Sequence, residues 1–329
     1  MSPATRASLM LVFTCACWSF SFPFMKALEQ VGRSNVPGES SVFFAALCTS
    51  LRFSVAAVFF GLFCARTLRG LTRSEVLQGA GIGLFGGMGL VLQMDGMAYT
   101  LASTSSFLTQ GYCVLIPLWF CVTRLRWPTV SVLGASGCAV GGAALLARLG
   151  TEDFNFGRGE WETLAGSVLF TAQILWLERP CFRGNNSRHA TVVMFGCMAL
   201  STWPLAWAAG SQTRVLTQAY ASPSAMGLLA LLIGVCTLVT FPLANHWQPR
   251  VSATQAGLLY CSEPVFTAIV TLFVPGWLSG LTGIRYLNES LTPHLLGGGM
   301  LILMANLWLL WRPPPNPQVE IGTKDCCRD

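Results

Sequence analysis

Apolar runs of about the length a helix needs to cross a bilayer, ~20 residues, recur along this chain from Leu9 to Leu310, each bounded by Arg, Glu, Pro or Gly. Inside hydrocarbon no water satisfies backbone N–H and C=O groups, so spanning segments must be helices or the strands of a closed barrel. Runs this long and continuously apolar specify helices. Composition agrees. Of the 329 residues 53% are hydrophobic and 10% charged, against about 25% charged in soluble domains, too few to build a wetted surface.

The pattern predicts ten spans: Ser8–Leu28, Val42–Ala65, Val76–Met94, Ala98–Val122, Val130–Ala147, Trp161–Leu177, Ala190–Ala209, Ala225–Ala244, Ala253–Val274 and His294–Trp311. The sixth is the weakest, because Glu162 and Gln173 interrupt it and Glu178-Arg179-Pro180 closes it early. Interrupted spans often line cavities.

The net charge of +6 is carried in short loops, where basic residues follow membrane topology rather than mark a polyanion site. The lipid bilayer is the expected partner and nucleic acid is not. An internal N-terminus puts Arg66, Arg69, Arg73, Arg124, Arg126, Arg179, Arg183, Arg188, Arg250 and Arg312 on the cytoplasmic side. Arg33, Arg148, Arg158, Arg214 and Arg285 fall opposite. That bias predicts a multi-pass protein of the plasma membrane, the inner membrane in a bacterium, with both termini cytoplasmic. The 13 cysteines lie mostly within spans without zinc-type pairs and read as small core hydrophobes. No metal or cofactor is expected. Arg6 followed by Leu9 to Met25 is like a signal peptide but lacks a small-residue cleavage site, so it reads as a retained first helix.

Two halves are legible. Ser105 to Pro117 has the spacing of Ser252 to Pro264, and Trp127-Pro128 with Gly134 is echoed by Thr292-Pro293 with Gly299. The expected organisation is a cytoplasmic tail over residues 1–7, a first five-helix repeat over 8–150, an external linker over 151–160, a second repeat over 161–312 and a disordered cytoplasmic tail over 313–329. A five-helix unit repeated once inserts its second copy upside down, which makes the expected fold an all-α membrane protein of two inverted five-helix repeats. Such repeats place a substrate site between them near the midplane.

Trp18-Ser19-Phe20-Ser21-Phe22 before Lys26, Phe44-Ala45-Ala46 before Leu51-Arg52-Phe53, and Ala98-Tyr99 with Thr104-Ser105-Ser106 and Ile116-Pro117-Leu118 carry a family resemblance. Ser262-Glu263-Pro264-Val265 and the run from Asn288-Glu289-Ser290 through Gly297-Gly298-Gly299 to Leu303 extend it. In their order and spacing these motifs resemble the EamA branch of the drug/metabolite transporter superfamily. The resemblance implies a secondary transporter of small organic molecules working by alternating access, and it allows a homodimer. Two features depart from the pattern: Arg124 stands where the repeat mate has Glu289, and Trp277–Leu287 lengthens the loop before the last helix.

Arg52 and Glu263 each lie about ten residues into an apolar run, roughly 15 Å deep at ~1.5 Å per residue. An unpaired charge there costs at least ~2.5 kcal/mol, so both should face the bundle interior. They are expected to share a central cavity, pairing directly, through substrate or through a proton; the bland alternative is a fixed ion pair that locks helix packing. Glu263 is also the candidate for coupling, since a buried carboxyl can take up and release one proton while a close Arg52 would oppose its protonation.

Trp18, Gln110, Tyr112, Gln173, Trp176, Gln255 and Tyr260 are candidate wall residues, buried aromatics and amides offering flat apolar faces with a few directional polar contacts. Lys26 is placed at the outer mouth, either snorkelling to headgroups or attracting an anion. Pro117 and Pro264 are candidate helix kinks. Gly79, Gly83 and Gly87, with Gly137 and Gly141, have the four-residue spacing that lets helices approach closely.

The absence of an acid between Met1 and Lys26, together with Lys26 and Arg52, points to an anionic or zwitterionic metabolite such as an amino acid, moved outward. A multidrug or other solute exporter of the same fold is the alternative. A membrane-embedded enzyme is the distant rival: His189, His246 and His294 stand alone at span edges, and no paired-His motif or Gly-x-Ser-x-Gly elbow occurs.

Overall fold

In a computed structural model, residues 3–124, 129–146, 157–290 and 292–311 are described, and they are almost wholly helical. The expected linker over 151–160 lies largely outside the described residues and the tail over 313–329 entirely so, as do Arg126, Arg148 and Arg312. The helices are α1 (Pro3–Trp18), α2 (Ser21–Asn35), α3 (Ser41–Cys64), α4 (Arg73–Met97), α5 (Ala102–Thr109), α6 (Tyr112–Arg124), α7 (Val130–Leu146) and α8 (Arg158–Leu177). They continue as α9 (Ser187–Ala209), α10 (Thr213–Gln218), α11 (Pro223–Ile233), α12 (Thr240–Trp247), α13 (Ala253–Tyr260), α14 (Glu263–Val270), α15 (Val274–Thr282) and α16 (Pro293–Trp311).

Local chemistry sets the ends. Thr72 and Glu75 form a capping box on α4, the Thr72 hydroxyl accepting from Glu75 N at 3.2 Å and the Glu75 carboxylate from Thr72 N at 2.9 Å. Ser40, Ser222 and Ser252 cap α3, α11 and α13 by accepting from the third residue on, and Pro223 occupies the first turn of α11, where its missing N–H costs nothing.

The ten-span, inverted-repeat expectation is overturned. Among the described residues six helical segments are long and apolar enough to cross a membrane: Ala4–Asn35, Ser41–Cys64, Arg73–Met97, Ala102–Thr123, Ser187–Ala209 and Pro223–Arg250. A seventh results if Ala253–Val270 and Val274–Thr282, bent by 58° to each other, count as one. No clear five-plus-five inverted arrangement emerges. The reasons lie in particular residues. Arg158, Glu160 and Glu162 dilute the first turns of α8. α7, at 17 residues, falls short of the ~20 residues of a full crossing. The expected ninth span is interrupted at Cys261-Ser262 and turns sharply ahead of Pro275.

Close packing concentrates on α4, which lies against both α8 and α9. A Cβ added at Gly79 would sit 2.5 Å from Ala190 O, and one at Gly83 2.7 Å from Met194 O, so this stripe seats α9 within the chain rather than offering a face for a second copy. A Cβ at Gly96 would meet Gly159 O of α8 at 2.6 Å. Gly137 and Gly141 face open space.

Candidate functional site

Three of the long segments are interrupted, and the interruptions converge. The first breaks between Trp18 and Ser21, the fourth between Thr109 and Tyr112, and the bent pair between Tyr260 and Glu263. All six of these residues line one cavity, concave and mostly apolar with a few polar groups, as small-molecule sites are. Irregular backbone at membrane depth is tolerated where protein or a cavity satisfies it, and broken helices are the recurring material of membrane substrate sites.

Arg52 of α3 enters this cavity from one side, at 2% exposure. Its anchor is another irregularity, a π-helical turn over Gly234–Val239 that joins α11 to α12. Widening the turn frees acceptors that an α-helix would use internally. Arg52 Nε donates to Thr237 Oγ1 at 2.6 Å, Nη2 to Cys236 O at 2.7 Å, and Nη1 to Met25 Sδ at 3.7 Å. The guanidinium also lies over the rings of Phe53 (5.2 Å) and Phe241 (5.8 Å), which suits a weakly hydrated planar cation.

Glu263, the first residue of α14, enters the cavity from the break opposite, at 7% exposure. Gln110 Nε2 donates to its Oε2 at 3.1 Å. Arg52 and Glu263 thus share a cavity without an ion pair between them, and each finds neutral partners instead. A charge left here without a counter-charge is expensive.

The wall between them is aromatic. The Trp18 ring meets Phe241 at 5.4 Å and Tyr260 at 5.7 Å, and Tyr112 meets Tyr260 edge to face at 6.2 Å. Tyr260 donates its hydroxyl to Gln248 Oε1 at 2.9 Å. The Trp18 indole N–H is buried without a partner.

The remaining sequence candidates separate. Gln173 lines the cavity. Gln110 sits behind Glu263, with its own Oε1 buried and unpartnered. Trp176 is not in the cavity; it packs outside, between Phe85, Phe182 and the Arg179 guanidinium at 4.2 Å, with its N–H on Leu77 O. Gln255 is likewise elsewhere, donating to Ser8 Oγ at 3.3 Å. Lys26 donates to Thr100 O, tying α2 to the loop before α5.

Pro117 lies inside α6 and its freed carbonyl, that of Cys113, accepts from Ser136 Oγ at 3.4 Å. Pro264 sits in the first turn of α14, just after the break. The 58° bend falls further on, ahead of Pro275.

Cavity residues that the sequence reading passed over are Gln93, Asn245 and Gln248. Gln93 carries the same signal that singled out Gln110 and Gln173, an amide inside an apolar run, whereas Asn245 and Gln248 lie just past the expected end of their span at Ala244. Gln93 donates to Thr109 Oγ1 at 2.7 Å, Asn245 to Thr191 Oγ1 at 2.9 Å and Gln248 to Ile174 O at 3.2 Å. Asn245 also borders a second hollow, whose lining includes Arg179, Arg183, His246 and Arg250.

Polar clusters close the two ends. At one, Glu75 accepts from Asn186 N and pairs with His189 Nδ1, both at 2.9 Å. At the other, Arg158 bridges Asp95 (2.8 Å) and Glu162 (2.6 Å). Burial pushes the Glu162 carboxyl up from its ordinary value, against the pull of Arg158. Among the described residues no group of three His, Cys, Asp or Glu side chains is placed to hold a metal ion.

No family model matches the chain. A protein of Archaeoglobus fulgidus described as an uncharacterized transporter is 26% identical over 303 residues, spanning 91% of this chain and 84% of that one. A crystal structure of a protein superposes with a TM-score of 0.61 at 14% identity, over 97% of this chain and 99% of the other, a likeness of fold alone. The chain is an all-helical, multi-span integral membrane protein similar along most of its length to an uncharacterized transporter.

Proposed function

We propose that the chain is a secondary transporter of the EamA type that binds a small zwitterionic or anionic metabolite, an amino acid or a related compound, between Arg52 and Glu263 and exports it. The observation that carries this reading is one cavity, at the meeting of three helix breaks, holding a guanidinium and a carboxyl that do not pair with each other. A substrate carboxylate fits the Arg52 fork, and a substrate ammonium or a proton meets Glu263. The aromatic wall of Trp18, Tyr112 and Tyr260 supplies apolar contact area. The hollow beyond Asn245, with Arg179 and Arg250 on its rim, is the cytoplasmic approach in the orientation read from the loop arginines, and its charge favours entry of anions. With this orientation the N-terminus is cytoplasmic, and six crossings return the C-terminus to the same side.

The aromatic wall also supports a second reading, export of a planar apolar drug, which would use Trp18 and Tyr260 and leave Arg52 idle. Flux in vesicles separates the two. Arg52→Ala and Glu263→Gln each abolish saturable uptake of a metabolite on the first reading; unimpaired transport in both variants removes the assigned roles.

A further inference from the structure

Above Glu263 a line of polar contacts runs between α5 and α14 and on to Glu289. Gln110 Nε2 donates to Glu263 Oε2 at 3.1 Å. One turn away, Ser106 Oγ donates to Thr267 Oγ1 at 3.1 Å, both groups fully buried. A further turn on, Ser103 N donates to Glu289 Oε1 at 3.4 Å, and Glu289 N donates to Thr271 O at 2.9 Å. Residues 103, 106 and 110 share one face of α5 and its end, and 263, 267 and 271 share the facing side of α14 and its end. Three rungs therefore climb from the cavity to the end of the bundle that carries Lys26 and Thr100. Apolar pairs would pack such a seam at lower desolvation cost, so its polarity calls for a reason.

Gln110 has the chemistry to serve either state of Glu263. As oriented, its N–H₂ donates to the carboxylate while its Oε1 is buried without a partner. When the amide turns over, Oε1 accepts from the O–H of the protonated acid. The ionisable groups around Glu263 are Cys15, Tyr112, Cys236, Tyr260 and Cys261, none of them a carboxyl or a cation. Arg52 lies across the cavity on its own partners. Around Glu289 stand Lys26 and Tyr286.

We propose that this seam is the path by which protons pass between the outer face and Glu263, with Glu289 as the outer proton acceptor. The inference rests on the carrier reading above and deepens it by naming the coupling ion and its route. One proton binds the Glu289 carboxylate. Thr267 and Ser106 hydroxyls each take a proton from one side and release their own to the other, with bridging waters completing the steps on either side of that pair. Glu263 ends as the neutral acid and Glu289 as the carboxylate, so charge and protons balance.

The test is the rate at which the Glu263 carboxyl protonates after an external acid jump on proteoliposomes. It is read as the carboxyl C=O infrared band that Glu263→Gln removes. Thr267→Val and Glu289→Gln are expected to slow this rate by roughly tenfold, the weight of one lost hydrogen-bonded step, and Thr267→Ser to restore it. Wild-type rates in both Thr267→Val and Glu289→Gln overturn the proposal, as does a Thr267→Ser rate as slow as that of Thr267→Val, which marks mere packing. Counterflow of a radiolabelled amino-acid panel, run beside it, reports on the carrier reading separately. Slowed protonation in the variants with no wild-type counterflow keeps the proton path and removes the carrier.

Discussion

Removing the Thr237 hydroxyl tests how Arg52 is held at membrane depth. The hydroxyl accepts from Arg52 Nε at 2.6 Å and donates to Leu232 O, five residues back across the π turn, at 3.0 Å. Thr237→Val keeps the side-chain shape, so no cavity opens. What is lost is one hydrogen bond to a charged group, about 1.5–3 kcal/mol, because Thr237 is fully buried and the Arg52 N–H gains no water in exchange. Unfolding in mixed micelles, followed by tryptophan fluorescence, should show stability reduced by about 2 kcal/mol in Thr237→Val. Thr237→Ser, which retains both bonds, should fall well below that cost. Thr49→Val is the control: its hydroxyl back-bonds only to Ala45 O of its own helix, at 2.8 Å, and the change should stay within about 0.5 kcal/mol. A Thr237→Val cost no larger than that of Thr49→Val would refute the claim that the π turn anchors the arginine.

Other outcomes follow from the same geometry. Gly83→Ala must part α4 from α9 by roughly 0.7 Å to bring its Cβ from 2.7 Å into ordinary contact with Met194 O, and should cost about 1–3 kcal/mol; Gly137→Ala, facing open space, should be neutral or stabilising in the same melts. Tyr260→Phe strands the buried Gln248 amide and should lower stability by about 1 kcal/mol while leaving the Trp18 ring contact intact. The Glu162 carboxyl, raised by burial, holds its proton more tightly folded than unfolded, so its contribution to stability falls as pH rises from ~4.3 through the raised value. Glu162→Gln should remove that slope, measured as melting temperature against pH.

The charges were the most legible part of the site. Arg52 and Glu263 stand out because ionisable groups inside apolar runs are rare and have to be accommodated. Which neutral groups join them was harder to read. Helices apolar on nearly every face give periodicity no side to report, so Trp176 and Gln255 were grouped with the cavity although they face a neighbouring groove and α1. Gln93 escapes for the same reason, and Asn245 and Gln248 because the expected span ends at Ala244 while the helical segment runs on to Arg250. The π turn left no mark in the sequence, because Gly234–Val239 differs from its flanks in hydrogen bonding rather than in composition. Span counting failed where hydropathy and backbone continuity part company: α8 opens on three charges, and the segment after Ala253 is broken at Ser262 and bent before Pro275. Equal Ser-to-Pro spacings in the two halves reflect local helix chemistry as readily as a duplicated architecture, and they did not suffice to establish one.

The central claim is movement of a small zwitterionic or anionic metabolite through the Arg52–Glu263 cavity. Its most direct test is counterflow into liposomes carrying the purified full-length chain, preloaded with unlabelled amino acids and offered the labelled panel outside. The account predicts saturable accumulation of at least one panel member by the wild type and its loss in Arg52→Ala. Chemical conversion of the solutes without movement, or accumulation indifferent to Arg52→Ala, would contradict it.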